Sequence, residues 1–352
     1  MPTLLEIHPG DIVPSVSWNR HKSNLSAFDI KLLSAWKDAV KNGCFRYELN
    51  ILRSSVIPGK WDFFAELNPE RGENRRKPHE FFSVNDPFNP SLFNFTKIKN
   101  GEILFEVRIA ESGQDSGNQN LLAINVSPMT EGHSLIIPFV EKMQPQVLTQ
   151  SSIELGLYVL LMSATPSFRV AFNSLLGFAS VNHLHLHCIY VDHCMSLESI
   201  VLEPLQGSCF QLTNYPGKGF AFQCSAQCEN DIRSLARDVF KLTNFFQSRN
   251  EAHNVVMTRC KLSNNEEMSH IRVYVWVRTP STGAKSATGF NPAALELFGY
   301  FVYKNTVAFE STNEAYICGV LEELTTEPFR RNYDLVKELF WAHGDSPALG
   351  EN

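Results

Sequence analysis

The 352-residue sequence lacks an apolar run long enough to span a membrane. A transmembrane helix needs about 20 consecutive apolar residues, and the apolar stretch ELGLYVLLMSA at 154–164 is much shorter. The first 20 residues, MPTLLEIHPGDIVPSVSWNR, contain neither a long apolar core nor a clear cleavage site, so they do not predict a secretory signal. These absences indicate a cytoplasmic protein without a membrane partner.

The sequence also has no Cys-x-x-Cys pair and no excess of positive charge. Among its eight cysteines, Cys224 and Cys228 are four residues apart, which is a weak metal-ligand spacing. Reduced thiols are expected, and a structural zinc that uses some cysteines with His193 is the alternative. The formal net charge of −6 argues against a general nucleic-acid-binding protein, which would usually be basic. A nucleotide pocket needs only a few local cations.

Apolar periodicity predicts two similar series of strands and helices. In the first series, helices are predicted at 28–43 and 152–164. The predicted strands of this series are 102–110, 118–128, 133–139, 168–174 and 181–191. The second series has a helix at 230–250 and strands at 219–225, 253–260 and 271–278. The pattern predicts an α+β fold of antiparallel sheets with packed helices.

The same pattern predicts the domain organisation. Residues 1–27 are interpreted as a loose leader, 28–205 as the catalytic half, and 206–352 as a second α+β half packed with the first as one unit. Residues 56–95, rich in Pro, Asn and Arg with scattered aromatics, are interpreted as a long ordered loop. A polar tract at 113–120 is interpreted as a hairpin-like loop.

The two series favour an internal duplication with a degenerate second copy. In each half a helix is followed by two strands. In the second half Arg272, Tyr274 and Trp276 alternate in the way that three histidines alternate in the first half. Two unrelated α+β halves are the alternative.

The histidines in question, His183, His185 and His187, alternate with leucines in VNHLHLHCIYVD at 181–192. Side chains on a β-strand point to opposite faces with a period of two. As a strand, the segment therefore carries three imidazoles on one face and apolar side chains on the other, core-facing side. Chance alternation or a weak metal site is the alternative.

An imidazole in such a row can act as a nucleophile towards phosphorus. One ring nitrogen must be unprotonated, and a hydrogen bond, for example to a backbone carbonyl near the strand, must hold the other. His183 and His187 would flank the central ring of His185 as donors or acceptors. Ser180 and Asn173 offer a hydroxyl and an amide to phosphate oxygens, and turn chemistry between two strands is their alternative interpretation.

The run NSLLGFASVNHLHLHCIY at 173–190 resembles the signature of the histidine-triad superfamily. AINVSPMTEGHSLIIP at 123–138 resembles the strand–turn–strand that precedes the triad helix there, and His133 within it is expected to be structural. Five further blocks resemble the GDP-hexose phosphorylase branch, and within it the animal group that acts on GDP-D-glucose. These blocks are GKWDFFAELNPERGENRRKP (59–78), FNFTKI (93–98), NYPGKGFAF (214–222), AHNVVMTR (252–259) and NPAALELFGYFV (291–302).

The resemblance implies a reaction and its residues. GDP-D-glucose and orthophosphate would give GDP and glucose 1-phosphate, and the family's nucleophile, the middle histidine of the triad, falls on His185. A guanylylated imidazole would form and would then be attacked by phosphate. Arg71 and Arg76, in ERGENRRKP at 70–78, match the family's block and are candidate cations for the nucleotide or phosphate; an exposed basic loop is the alternative. No metal or other cofactor is implied.

The third triad position, His187, departs from part of the branch. Plant members carry glutamine there, whereas hydrolases of the superfamily carry histidine. A histidine-triad hydrolase that releases GMP is therefore the alternative enzyme, and a non-catalytic nucleotide-binding regulator is the alternative from another class. The sequence leaves the oligomeric state open, although a homodimer is common among the relatives.

Overall fold

A computed structural model describes residues 3–20, 24–74, 79–110, 119–262, 267–281 and 289–341. The strands are β1 (Thr3–Ile7), β2 (Val16–Ser17), β3 (Arg53–Val56), β4 (Phe64–Leu67), β5 (Ile103–Ile109), β6 (Asn120–Ile124), β7 (Ser134–Ile137), β8 (Phe168–Asn173), β9 (Leu186–Tyr190), β10 (Glu203–Gln206), β11 (Cys209–Leu212), β12 (Gly219–Ser225), β13 (His253–Cys260), β14 (Glu267–Met268), β15 (His270–Val277) and β16 (Tyr300–Tyr303). The α-helices are α1 (Ala27–Lys41), α2 (Glu70–Glu73), α3 (Gln150–Met162), α4 (Glu229–Ser248), α5 (Ala294–Phe298), α6 (Thr306–Ser311) and α7 (Glu314–Leu339).

Eleven of these strands form one sheet in the order β1-β5-β6-β7-β9-β8-β13-β15-β12-β11-β10. Neighbouring strands are antiparallel except β1 and β5, which run parallel. A three-stranded sheet joins β16, β4 and β3, and β14 pairs with β2. The predicted α+β class, with antiparallel sheets and packed helices, is confirmed.

The main sheet has the same strand order on both sides of its centre. Strands β5 to β9, with α3 between β7 and β8, follow the same path as β10 to β13 and β15, with α4 between β12 and β13. The first strand after each helix, β8 or β13, lies beside its counterpart. This arrangement is compatible with an internal duplication, which stays a prediction.

The two faces of the main sheet are covered differently. On one face, α3 and α4 pack side by side, and Leu157 and Val239 join Phe172 and Met257 in a core of fully buried side chains. Every residue of the central strand β13 is buried, including the polar side chains of Asn254, Thr258 and Arg259. On the other face, the three-stranded sheet and α5 cover the second half.

One row of paired residues crosses the first half of that second face. Ile103 pairs with Ala123, Ala123 with Leu135, Leu135 with His187, and His187 with Ala171. Paired residues on neighbouring strands project from the same face. Because strands lie about 4.8 Å apart, three spacings place Ile103 about 14 Å from His187.

Helix α1 confirms the predicted helix at 28–43 and supports the end of the histidine strand. Ser26 Oγ accepts from the Asp29 N–H at 3.1 Å, and Asp29 Oδ2 accepts from the Ser26 N–H at 2.9 Å, which together form a capping box. The buried Asp29 also accepts a hydrogen bond from Tyr190 Oη at 2.8 Å. The helix start is thereby joined to the last residue of β9.

Three predictions for individual segments need correction. The histidine strand begins at Leu186 rather than at 181, so that His183 and His185 precede it. The predicted loop at 56–95 contains β4, which pairs in parallel with β16. This pairing joins segments far apart in the chain, so no local pattern reveals it. The predicted polar loop at 113–120 falls largely on residues 111–118, which lie outside the described residues.

The ends of the chain contribute more regular structure than the sequence patterns indicated. Residues 3–7 and 16–17 of the predicted leader form β1 and β2. The 26-residue α7, which was not predicted, contains Pro328 and contacts both cores: Leu321 packs in one and Val336 in the other. No helix in the described ranges is both long enough and apolar enough to cross a membrane.

Candidate active site

A pocket opens on the sheet face above the row that runs from Ile103 to Ala171. Segment 93–102 forms its wall at the β5 end, and segment 291–304 forms its wall at the β8 end. Two parts of the chain almost 200 residues apart in sequence therefore close one site, and the histidine strand lies between them.

Most of the predicted site residues lie together at this pocket. Those that line it are His185, His187, Ser180, Asn173 and Arg71. His183 is adjacent but does not line the pocket, and Arg76 lies outside the described residues.

His185 has the geometry of a nitrogen nucleophile. Its Nδ1 lies 2.8 Å from the carbonyl oxygen of His183, and a carbonyl can only accept, so Nδ1 carries the ring proton. Nε2 therefore keeps its lone pair and has no hydrogen bond to any described residue. Burial lowers the pKa of His185 to about 4, against the opposing effect of the His183 carbonyl. The ring is thus neutral at pH 7, and the expected hydrogen bond from the ring to a backbone carbonyl is confirmed.

Gln146, which was not predicted, holds the backbone of His185 on both sides. Its Oε1 accepts from the His185 N–H at 2.9 Å, and its Nε2 donates to the carbonyl oxygens of His185 and Asn173, each at 3.0 Å. The side chain is completely buried. It lies where the ladder between β8 and β9 ends, beyond the pair of Ala171 and His187, and it replaces the missing strand contacts.

His133 fixes the tautomer of His187. The Met129 N–H donates to His133 Nδ1 at 3.1 Å, so the proton of the neutral His133 ring is on Nε2. That nitrogen lies 3.1 Å from His187 Nδ1 and donates to it, and Asn125 Nδ2 lies at the same distance from it. His187 is left with an Nε2–H that can donate to a ligand. Burial lowers the pKa of His133 and of His187 well below the ordinary value. The nearby His187 lowers the pKa of His133 further, and the nearby His185 lowers that of His187 further.

The imidazole of His183 is held away from the pocket. The Phe95 N–H donates to its Nδ1 at 3.1 Å, and the ring packs against Phe88 and Phe95 with centroids 5.3 and 5.6 Å apart. Burial lowers its pKa to about 4. The carbonyl oxygen of His183, rather than its imidazole, contributes to the site through His185, which corrects the prediction that this ring flanks that of His185 as a donor or acceptor.

Asn173 and Ser180 present donors beside His185. Asn173 Oδ1 accepts from Asn254 Nδ2 at 2.6 Å and from the Ala294 N–H at 2.9 Å. These two donors fix the orientation of the amide, so that Nδ2 of Asn173 is the group left to donate. The hydroxyl of Ser180 lines the pocket without a hydrogen bond to any described residue. Both groups can donate to an anionic oxygen.

The β8 end of the pocket carries two cations. Arg71 lines it, and its guanidinium donates to the carbonyl oxygen of Ser127. Lys304 Nζ donates to Asn291 Oδ1 at 3.0 Å. Arginine and lysine at this end suit a phosphate group. Among the residues that the structure describes, no three of His, Cys, Asp and Glu are grouped closely enough to hold a metal ion.

Glu296 is the carboxyl group at the same end. It is 6% exposed, and its Oε2 accepts from the Ala293 N–H at 3.0 Å. Burial raises its pKa to about 7, although backbone hydrogen bonds and the nearby Arg71 and Lys304 oppose the shift. Apart from the backbone N–H groups of Ala293 and of Glu296 itself, no described residue donates to this carboxyl group.

The β5 end of the pocket is apolar. Phe93, Phe95 and Ile98 form its wall. The small side chain of Ala123, with Leu135 beside it, forms its floor. The Phe95 ring lies 5.0 Å, centroid to centroid, from that of His185. A planar group that enters this slot would therefore end next to the imidazole of His185.

The sequence predicted the centre of the site and Arg71 at its β8 end, but not the other residues of the two ends. Phe93, Phe95 and Ile98 lie in FNFTKI, and Glu296 lies in NPAALELFGYFV, two blocks that carried the family resemblance. These blocks were a signal for the pocket walls, although their chemistry was not interpreted. Gln146 gave no such signal, because a glutamine in a loop 39 residues before His185 has no recognisable pattern.

The fold and the site together define a histidine-triad-like protein, with a neutral imidazole between an apolar slot and a cationic end. Its fold is similar to that of yeast Ap4A phosphorylase Apa2, solved in complex with Ap4A. The TM-score is 0.58 at 16% identity, over 85% of this chain and 97% of that chain.

The sequence comparisons are more specific. The family model described as "GDPGP1-like, N-terminal domain" matches residues 27–189, and the corresponding C-terminal model matches residues 193–341. GDP-D-glucose phosphorylase 1 of Xenopus laevis is 35% identical over 93% of this chain and 94% of its own length. The enzyme of the same name from Danio rerio is 38% identical over 89% of this chain and 90% of its own length. The chain belongs to the GDPGP1-like family.

Proposed function

We propose that this protein catalyses the phosphorolysis of GDP-D-glucose to GDP and glucose 1-phosphate, with His185 as the nucleophile. The observation that carries the proposal is the 2.8 Å hydrogen bond from His185 Nδ1–H to the His183 carbonyl, which leaves Nε2 unprotonated at the pocket. The relatives named for this reaction, each at least 35% identical over most of both chains, supply the substrate.

In the first step, His185 Nε2 attacks the α-phosphorus of GDP-glucose. The N–P bond forms as the bond between that phosphorus and the bridging oxygen breaks, and the oxygen leaves with the electron pair as part of glucose 1-phosphate. The His187 Nε2–H, the Asn173 amide and the Ser180 hydroxyl are placed to donate to the non-bridging oxygens. Donors that are already oriented stabilise the charge that develops there without reorganisation.

In the second step, orthophosphate takes the place of the departed sugar phosphate. One of its oxygens attacks the phosphorus of guanylyl-His185, the P–N bond breaks, and the imidazole recovers its lone pair as GDP leaves. Arg71 and Lys304, at the β8 end, neutralise the β-phosphate of the substrate and then the attacking phosphate. Glu296, in the same wall, accepts hydrogen bonds from hydroxyls of the hexose in the first step.

The orientation of the substrate follows from the polarity of the two ends. Aromatic and aliphatic side chains at the β5 end suit the faces of a nucleobase. Cations at the opposite end suit phosphates, and the nucleophile lies between them. The α-phosphorus would therefore meet His185 with the nucleoside on one side and the leaving group on the other.

The test incubates the protein with GDP-glucose, GDP-mannose, GDP-galactose or UDP-glucose, with and without orthophosphate, and separates the nucleotide products. GDP formed from GDP-glucose only when phosphate is present supports the proposal. GMP formed without phosphate would indicate a hydrolase instead, and binding without any product would indicate a regulator. His185→Asn should abolish product formation, whereas His253→Asn, at a buried histidine outside the pocket, serves as the matched control.

We also propose that the protein acts in the cytoplasm as a homodimer. All eight cysteines are unpaired, which suits a reducing compartment. Two-fold dimers are the commonest assembly among homo-oligomers. Light scattering of the purified protein tests the assembly, and a monomer at micromolar concentration would contradict it.

A further inference from the structure

Two carboxyl groups line the pocket, and they lie at opposite ends. Glu296 belongs to the cationic β8 end, whereas Glu102 is at the apolar β5 end, directly before Ile103. Ile103 begins the row that leads across Ala123 and Leu135 to His187. Glu102 is therefore about three strand spacings, or about 14 Å, from the triad, a span that a nucleoside monophosphate covers.

The carboxylate of Glu102 is only lightly engaged by the protein. Its Oε1 accepts one long hydrogen bond, 3.3 Å, from the Lys99 N–H. No described cation forms an ion pair with it, and its Oε2 has no described donor. The neighbouring Lys97 is occupied elsewhere, since its Nζ donates to the carbonyl oxygens of residues 90, 91 and 92. A carboxyl group at the apolar end of a pocket, held by only one long hydrogen bond, can accept further hydrogen bonds from a ligand.

The position of Glu102 would favour a base that has hydrogen-bond donors on the edge facing it. A base that lies over Ala123 and Leu135, beside Phe95, directs its edge towards Glu102. Guanine presents two adjacent donors on one edge, N1–H and the exocyclic N2–H, which match the two oxygens of a carboxylate. Adenine presents an acceptor at N1, and hypoxanthine lacks the exocyclic amine. Either base would leave part of the carboxylate unpaired, and a site built for hydrogen bonding discriminates strongly against such analogues.

We propose that Glu102 is the residue that selects guanine, through a bidentate hydrogen bond to N1–H and N2–H. This inference rests on the proposed function, since it places the nucleoside of the substrate at the β5 end. It also explains how a pocket whose floor and walls are apolar can distinguish one purine from another.

The test measures nucleotide binding by calorimetry in the His185→Asn background, where no transfer occurs. Dissociation constants are determined for GDP, IDP, ADP and XDP. With Glu102 intact, GDP should bind about tenfold to a hundredfold more tightly than the other three, as expected for one bidentate base contact. Glu102→Gln should weaken the binding of GDP by a similar factor and strengthen the binding of XDP. The glutamine oxygen accepts a hydrogen bond from xanthine N1–H, and its amide donates to xanthine O2.

The gain of XDP binding is the decisive result, because a misfolded variant cannot gain affinity. Glu106→Gln, four residues further along the chain on β5 but outside the pocket, is the matched control and should leave the ratio of GDP to XDP affinity unchanged. An unchanged ratio in Glu102→Gln would overturn the inference. Failure of the proposed function would look different: GDP would bind selectively, but the wild-type protein would not transfer a nucleotide to phosphate.

Discussion

Replacing Gln146 with alanine tests whether the nucleophile is positioned by a side chain rather than by the sheet. The substitution removes the acceptor for the His185 N–H and the donor to the carbonyl oxygens of His185 and Asn173. All three backbone groups lose their partner at once. The imidazole itself, and its hydrogen bond to His183, are left untouched.

The size of the effect on stability follows from the number of buried backbone groups that lose their hydrogen-bond partner. Each buried polar group without a partner costs about 1–3 kcal/mol, so three groups cost about 3–9 kcal/mol in a dry cavity. Because the vacated side-chain volume lies among polar groups and can admit water, we expect a loss of about 3 kcal/mol in the free energy of unfolding. A nucleophile displaced by about 1 Å loses about a hundredfold in rate, and this is the expected fall in the guanylylation rate constant.

The assay is single-turnover guanylylation at saturating GDP-glucose, accompanied by urea unfolding. Gln247→Ala is the matched control, because Gln247 is also buried and its Nε2 donates to Val84 O at 2.8 Å and Asn85 Oδ1 at 2.9 Å, outside the pocket. It should lose stability without losing rate in the folded protein. A Gln146→Ala protein that is folded and guanylylated at the wild-type rate would refute the reasoning.

Three further predictions concern charge and protonation. Glu296→Gln should slow guanylylation by GDP-glucose about tenfold, but not guanylylation by GDP, which has no hexose; equal losses with both would contradict the hexose contact. Because burial lowers the pKa of His185 to about 4, the nucleophile stays unprotonated as the pH falls to about 5. In the Glu296→Gln variant, which removes the carboxyl group whose pKa burial raises to about 7, the rate of guanylylation by GDP-glucose should therefore be flat from pH 8 to about pH 5, and a break near 6.5 would contradict the assignment. Burial also lowers the pKa of His253 to about 4, so below pH 6.5 the unfolded chain binds a proton that the folded chain refuses, and stability falls as the pH drops. His253→Phe should remove about 3 kcal/mol of the stability lost between pH 6.5 and pH 4 in urea unfolding, whereas an unchanged pH slope would count against this account.

The sequence was most informative where one strand determines the chemistry. Alternation predicted that His185 and His187 face the same side, and both line the pocket. The prediction that a backbone carbonyl holds the central imidazole was also correct, because a histidine between extended segments has carbonyls within reach. The same alternation was wrong for the ring of His183, since the chain leaves the sheet before Leu186 and the alternating geometry no longer applies.

The remainder depends on contacts between distant segments. Lys304 and Glu296 reach the pocket because β16 pairs in parallel with β4, and α5 packs on the main sheet. Hydrophobic periodicity describes one segment at a time and does not predict which distant segments pair. The sequence did not predict the apolar slot either, because Phe93 and Phe95 form a slot only together with the small Ala123 opposite them. Family resemblance drew attention to these blocks, and the structure supplies their chemistry.

The central claim, covalent transfer through His185, is tested most directly by trapping the intermediate. Wild-type protein is mixed with GDP-glucose without phosphate, digested at neutral or alkaline pH to preserve a phosphoramidate, and analysed by peptide mass spectrometry. A guanylyl group on His185, which disappears with release of GDP when phosphate is added, is the result that the account predicts. Turnover of GDP-glucose with no nucleotide on any histidine, or with a nucleotide on another residue, would contradict it.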